Sequence, residues 1–203
     1  LDTIIERIKR HNYRFVGITS TTVTIEIALT LAREIKKHFP DITTILGGVH
    51  PSIFYKELIG EPYIDFIIRN EGEKPLLDLL QGKELRSIAN LSYKIDGQVS
   101  HNPDNTELYD LAKQPFLAYH KLPMDKYYSA RGSYKRKPSL GMIVSRGCPG
   151  RCTFCFSGMF GSAIRFMPTR MIVNEIKYLT QKYGIKEISF YDDTFTSPRK
   201  NVV

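Results

Sequence analysis

The chain has 203 residues, 42% of them hydrophobic, and carries 29 Lys+Arg against 21 Asp+Glu, a formal charge of +8 with a pI near 9.3. That composition suits one large globular domain or two small ones and excludes a disordered or fibrous chain. The basic excess favours anionic partners in general, but the basic residues are scattered and their densest run, 131–137, is short, so a nucleic-acid partner is not expected. No apolar run has the length of a spanning helix, so no membrane partner is expected either, and a cytoplasmic location is.

The first stretch, 1–9, places Leu1, Ile4, Ile5 and Ile8 on one helical face. Residues 14–19 are a short apolar, β-branched run that suits a buried parallel strand. Ser20-Thr21-Thr22 can cap the helix that follows, in which Ile25, Ala28, Leu29, Ala32, Ile35 and Phe39 recur at helical spacing until Pro40. The unit then repeats. Residues 43–46 form a second strand ending in Gly47-Gly48-Val49-His50, and Pro51 starts a short helix through Ile59. Residues 65–69 form a third strand, followed by Glu71-Gly72-Glu73 and a helix over 75–80. Alternation of this kind predicts a doubly wound, Rossmann-like α/β sheet whose ligands sit at the carboxyl ends of the strands. Those ends carry Ser20, Thr21, Thr22, Gly47, Gly48, His50 and Glu71, which a ligand could use and which could equally be turn and capping residues.

Residues 88–94 and 98–100 flank Asp96-Gly97, a hairpin signal. Residues 102–137 are broken by Pro103, Pro115 and Pro123 and are expected to be a connection with short helices. Residues 140–145 are a strand that delivers a cysteine-bearing loop. Thr169 is expected to cap a helix whose Ile172, Val173, Ile176, Tyr178, Leu179 and Tyr183 include a buried stripe, ending at Gly184. Residues 185–191 are the next strand, which terminates in Asp192-Asp193-Thr194-Phe195. This is again strand, loop, helix, strand, as at the start of a (β/α) barrel with its reactive residues at strand carboxyl ends.

All three cysteines lie in one loop, as Cys148-x-x-x-Cys152-x-x-Cys155. Three thiolates so spaced can converge on one metal centre with no fourth cysteine to complete it, as for a [4Fe–4S] cube that keeps one iron open. A Cys3His zinc with His101 or His120, or three inert cysteines, are the alternatives. A disulfide framework is disfavoured by the odd count.

With Ser145-Arg146-Gly147 before it and Phe154 inside it, this loop resembles the signature of radical S-adenosylmethionine (SAM) enzymes. The runs 16–22, 46–51 and 71–76 are similar to the cobalamin-binding domain found in front of many radical SAM domains. The resemblance implies a cobalamin-binding-like α/β domain over 1–100, a linker over 101–138, and over 139–203 the first β/α units of a partial (β/α)6, TIM-like radical SAM barrel. It implies that Cys148, Cys152 and Cys155 hold a [4Fe–4S] cluster, that Phe154 and Asp192 or Asp193 contact SAM, and that Ser20, Thr21, Thr22, Gly47, Gly48, His50 and Glu71 line cobalamin. Arg165 and Arg170 are further candidates, for the cluster edge or for a carboxylate.

The partners implied are a small-molecule or natural-product substrate and an external one-electron reductant of flavodoxin or ferredoxin type. The Asp-x-His-x-x-Gly motif that supplies a histidine to cobalt in some cobalamin proteins does not occur. Measured against that family the chain is expected to be a fragment, truncated at both ends, of an enzyme, and inactive alone. Methyl transfer is the activity implied. An oxidative cyclase of tetrapyrrole type in the same family, a methylthiotransferase, and a non-catalytic Fe–S or zinc module are the alternatives. Residues 1–139 lack the extra cysteines that methylthiotransferases carry.

Overall fold

The structure is a computed structural model and describes residues 1–196 except Thr106, Tyr128, Arg131 and Ser157. The chain divides into two compact units, Leu1–Tyr109 and Asp110–Val203.

The first unit runs α1 (Asp2–His11), β1 (Phe15–Thr19), α2 (Ile25–His38), β2 (Thr43–Gly47), α3 (Val49–Ile53), α4 (Tyr55–Leu58), β3 (Phe66–Ile68), α5 (Glu73–Leu80), β4 (Leu91–Ile95) and β5 (Gln98–His101). Its sheet has the order β1-β2-β3-β4-β5, with β1, β2 and β3 parallel and the β4–β5 hairpin added antiparallel. Alternation along the strands gives the sheet two buried faces. Leu46 and Ile67 pack with Ile25, Ala28 and Ala32 of α2, while Ile45 and Ile68 pack with Leu79 of α5 and with Ile88. Each fully buried aliphatic side chain here contributes about 1.5–3 kcal/mol.

Of the apolar face expected on α1, Ile8 is buried against Ile35 and Ile42 and Ile5 is half-buried beside them, while Leu1 and Ile4 stay exposed. Before α2 the chain makes a single tight turn over Thr22–Thr24, closed by a capping box in which Thr21 and Thr24 exchange side-chain and backbone bonds. The helix expected from Pro51 instead starts at Val49, because proline is tolerated anywhere in a first turn that needs no N–H from it. It breaks at Phe54, whose ring stacks on His50 at 4.5 Å.

The second unit carries β6 (Ser139–Met142), β7 (Ser145–Arg146), β8 (Arg165–Phe166), α6 (Thr169–Tyr183) and β9 (Glu187–Phe190). Strands β6 and β9 are parallel neighbours with α6 between them in sequence. Leu140, Met142 and Val144 alternate onto a core with Met167, Leu179 and Ile185, and Tyr119, from the stretch before β6, is buried in the same core. Thr169 is the first residue of α6, not its cap; Pro168 precedes it at the cap and makes no side-chain bond. Leu179 is fully buried, while Val173 is exposed. No helix among the described residues is long and apolar enough to cross a membrane.

Candidate cofactor site

In the first unit the carboxyl ends of β1 and β2 meet. Ser20 N–H donates to Gly47 O at 3.0 Å, His50 N–H donates to Ser20 O at 3.3 Å, and the His50 Nδ1 lies 3.1 Å from Thr22 Oγ1. The end of β3 joins them through Ser52, whose hydroxyl donates to Gly48 O and accepts from Asn70 N–H, both at 2.8 Å. Ser20, Thr22, Gly47, Gly48 and His50 are therefore gathered at one end of the sheet. Glu71 is turned away from them, and its carboxylate accepts from the Tyr109 N–H at 2.7 Å. Thr21 is committed to the capping box with Thr24.

The two glycines differ. Gly48 has φ 99°, and a Cβ there would lie 2.6 Å from Ser20 O and 2.7 Å from Thr19 Oγ1, so its missing side chain is what lets the β1 and β2 loops touch. At Gly47 a Cβ would meet only Ile68 O, at an ordinary 3.5 Å. Ser20 Oγ is buried and has no hydrogen-bond partner among the described residues, at this same end of the sheet. A buried hydroxyl left unpaired costs about 1–3 kcal/mol, which a bound acceptor or donor would recover.

Arg69, just past the end of β3, lies in no recognisable motif. Its guanidinium is buried and donates to Asp104 Oδ1 at 2.7 and 3.0 Å, to Ser92 Oγ and to Asn102 O, and it lies over the Tyr55 ring at 4.4 Å. It anchors the chain leaving the hairpin. Its signal in the sequence is a lone charge closing an apolar strand, which does not by itself separate an anchor from a ligand.

In the second unit the cysteine loop is closed at its base and open at its tip. Strands β7 and β8 pair Ser145 with Phe166 and Arg146 with Arg165, Met167 N–H donates to Val144 O at 2.8 Å, and Cys148 N–H donates to Gly161 O at 3.2 Å. Between these clips Cys148 is half-buried, Cys152 and Cys155 are exposed, and all three thiols are free of disulfides. A Cβ placed on Gly150 would lie 3.3 Å from Cys148 Sγ and 3.7 Å from Cys152 Sγ, so those two sulfurs flank one glycine. Among the described residues no three potential ligands are already gathered around one point. The donor set nonetheless suits a soft cluster: three unoxidised thiols on one short anchored loop. His101, one candidate for a zinc ligand, lies in the first unit and has its Nδ1 3.0 Å from Ser92 Oγ. His120 is exposed.

Phe154 is 91% exposed at the loop tip. The two aspartates after β9 part ways. Asp193 is exposed, whereas Asp192 turns its carboxylate into the protein toward Val144 and Ser145. Arg165 donates to Phe160 O at 3.0 Å within the loop, and Arg170 is exposed on the first turn of α6.

A cavity of about 430 Å³ lies on the core side of β6, lined among others by Leu111, Tyr119, Met142, Met167 and Glu175, and none of the three cysteines lines it. Burial pushes the Glu175 carboxyl above its ordinary range, opposed by hydrogen bonds from Tyr119 and from the Leu117 backbone. Burial also raises the Tyr119 hydroxyl, with the neighbouring Glu175 charge adding to it.

Residues 1–80 match the B12 binding domain family, and residues 142–203 match the Radical SAM superfamily. An uncharacterized methyltransferase of Pyrococcus horikoshii is 38% identical over 97% of this chain and 43% of its own length. The anaerobic magnesium-protoporphyrin IX monomethyl ester cyclase of Rubrivivax gelatinosus is 28% identical over the whole of this chain and 37% of its own. In fold, the radical SAM methyltransferase TsrM of Kitasatospora setae, solved with cobalamin and a [4Fe–4S] cluster, superposes with a TM-score of 0.72 at 18% identity over 98% of this chain and 42% of that one. The chain thus spans less than half the length of each. The two family matches take in the candidate residues of each unit, the strand ends of the first and the cysteine loop of the second, and the chain joins a B12 binding domain to a stretch of the Radical SAM superfamily.

Proposed function

We propose that this chain is the cofactor-holding part of a cobalamin-dependent radical SAM methyltransferase. Residues 1–100 serve as the cobalamin domain, 101–138 as the connection and 139–203 as the start of the radical SAM domain. The observation that carries the reading is the cysteine loop, with three free thiols at the head of the first β/α unit, its base pinned and its tip exposed. When bound, the cofactors supply reductive cleavage of SAM and a transferable methyl group.

The chain's own residues do the rest. Cys148, Cys152 and Cys155 donate the three sulfurs, and the β7–β8 clip keeps them at the end of β6. Asp193 offers an exposed carboxylate to the SAM ammonium, and Phe154 an exposed ring to the same cofactor. In the first unit Ser20, Thr22, Gly47 and His50 face the corrinoid and its tail, with the Ser20 hydroxyl making the bond it lacks in the free chain. Gly48 holds the two loops together and Thr21 shapes the turn through its capping box, while the Glu71 carboxylate holds the Tyr109 N–H instead. The substrate is a small molecule, the electron donor a flavodoxin or ferredoxin, and the setting a reducing, cytoplasmic one. A second reading, oxidative ring closure on a tetrapyrrole, is supported by the relative that is 28% identical over this entire chain.

Anaerobic loading tests the first part: about four iron and four sulfide per chain, with a spectrum that SAM perturbs, supports it, and zinc in place of iron ends it. Titration with hydroxocobalamin tests the second. Ser20→Ala is expected to leave the melting temperature of the free chain unchanged or slightly raised, because it deletes an unpaired buried hydroxyl, and to weaken cobalamin binding about tenfold. Equal affinity in the two proteins would remove Ser20 from the site.

A further inference from the structure

Asp192 is one of the two aspartates expected beside SAM, and its carboxylate is engaged at the entry of the cysteine loop. Its Oδ1 accepts from Val144 N–H at 2.9 Å and from Ser145 N–H and Ser145 Oγ–H at 2.5 Å each. Its Oδ2 is buried without a partner among the described residues, so neither oxygen is turned to solvent. Val144 and Ser145 lie just beyond the end of β6, where the chain leaves the β6–β9 ladder and turns into the cysteine loop, three residues before Cys148. Backbone N–H groups at such a point need an acceptor, and a carboxylate is a stronger one than a peptide carbonyl. Asp192 itself follows β9, and its exposed neighbour is Asp193.

We propose that Asp192 is a positioning residue, a carboxylate clamp that ties the end of β9 to the entry of the cysteine loop. One end of the clamp carries the thiolates and the other carries Asp193, so it sets the spacing between the cluster ligands and the carboxylate offered to SAM. The geometry stands by itself, and its consequence for cofactors rests on the cluster and SAM reading above.

The test compares Asp192→Ala, Asp192→Asn, Ser145→Ala and Asp193→Asn in the 203-residue chain. The first measurement is amide hydrogen exchange at Val144 and Ser145 without any cofactor. The second, after anaerobic loading and dithionite reduction, is the electron paramagnetic resonance signal with and without SAM, together with the rate at which a chelator strips the iron. Asp192→Ala should speed exchange at those two amides about tenfold or more, since each loses a bond to a charged acceptor. It should also speed iron loss and alter the cluster signal before SAM is added. Asp192→Asn, which retains an acceptor oxygen, should recover most of these properties. Ser145→Ala, which removes the hydroxyl bond but neither amide bond, should act in the same direction as Asp192→Ala and less strongly, and combining the two substitutions should add little to Asp192→Ala alone.

Asp193→Asn should leave exchange, stripping and the SAM-free signal as in the parent and change only the response to SAM. The clamp is overturned if Asp192→Ala leaves the two amides as protected as before, or if it behaves like Asp193→Asn and changes the SAM response alone. Should Asp192→Ala not fold, Ser145→Ala carries the comparison through the hydroxyl bond it removes: faster iron loss than in the parent and in Asp193→Asn supports the clamp, and parent-like iron loss overturns it. A parent chain that loads no iron would sink the cluster reading, and exchange at Val144 and Ser145 would still decide the clamp.

Discussion

Adding one methyl group at Gly147, in the base of the cysteine loop, has an effect that can be worked out from the geometry. The residue has φ 93°, a conformation that costs an L-residue about 1–2 kcal/mol. An added Cβ would also lie 2.2 Å from Ala163 O and 2.9 Å from Ala163 C, against an ordinary contact of 3.4 Å or more, so backbone must retreat by more than an ångström. That retreat breaks the Cys148 N–H bond to Gly161 O and loosens the β7–β8 pairing, at about 1 kcal/mol for each bond lost. The sum is about 3–4 kcal/mol, or a hundredfold or greater rise in the fraction of chains whose loop base is open.

The core of β6, α6 and β9 does not touch this overlap, so the far-ultraviolet spectrum of Gly147→Ala should match the parent. Protection of the Cys148 and Met167 amides should fall by about two orders of magnitude, and the iron bound after anaerobic loading should drop with it. Gly150→Ala is the control for position. Its Cβ meets only Cys148 Sγ at 3.3 Å and Cys152 Sγ at 3.7 Å, with no backbone overlap, so the loop base should stay protected while iron loading suffers. The reasoning is refuted if Gly147→Ala loads iron like the parent with its amides still protected, or if Gly150→Ala opens the base as far as Gly147→Ala does.

Gly48→Ala should destabilise the first unit by about 3 kcal/mol through positive-φ strain and overlap with Ser20 backbone, read as a fall in the urea midpoint. Gly47→Ala, with only a 3.5 Å contact, should leave that midpoint nearly unchanged and reduce cobalamin binding instead. Asp78 is held below the usual carboxylate range by its hydrogen bonds to Lys74 and then Lys83. A depressed carboxyl contributes stability above its unfolded value near 3.8 and loses it as pH falls through its lower folded value. Asp78→Asn should therefore cost about 1 kcal/mol at pH 7, modest because both lysines are largely exposed, and progressively less in urea titrations below pH 4. Glu175 has the opposite sign, since burial raises its carboxyl, so the parent loses stability as pH rises above the ordinary glutamate range. Glu175→Gln should raise the melting temperature of the second unit at pH 7 and make no difference near pH 4.

Much of this protein was legible in its sequence. Alternating apolar strands and helices marked the α/β architecture, since a side-chain period of two or of 3.6 is a local property that each segment carries with it. The cysteine spacing marked the loop as a candidate metal-ligand set for the same reason, because three thiols within eight residues are a local property, although folding alone does not gather them around one point among the described residues. Other features were decided only by tertiary contacts. Gly47 and Gly48 read alike in the sequence, yet only at Gly48 would an added side chain collide with the β1 loop. Tyr119, in a stretch expected to be a connection, lies in the second core. Asp192 and Asp193 are neighbours of one type, and which of them turns inward depends on amides 47 and 48 residues earlier in the chain. Local patterning states which groups are present, but a side chain's task follows from the donors that folding brings to it, and those arrive from distant segments only once the sheet has formed.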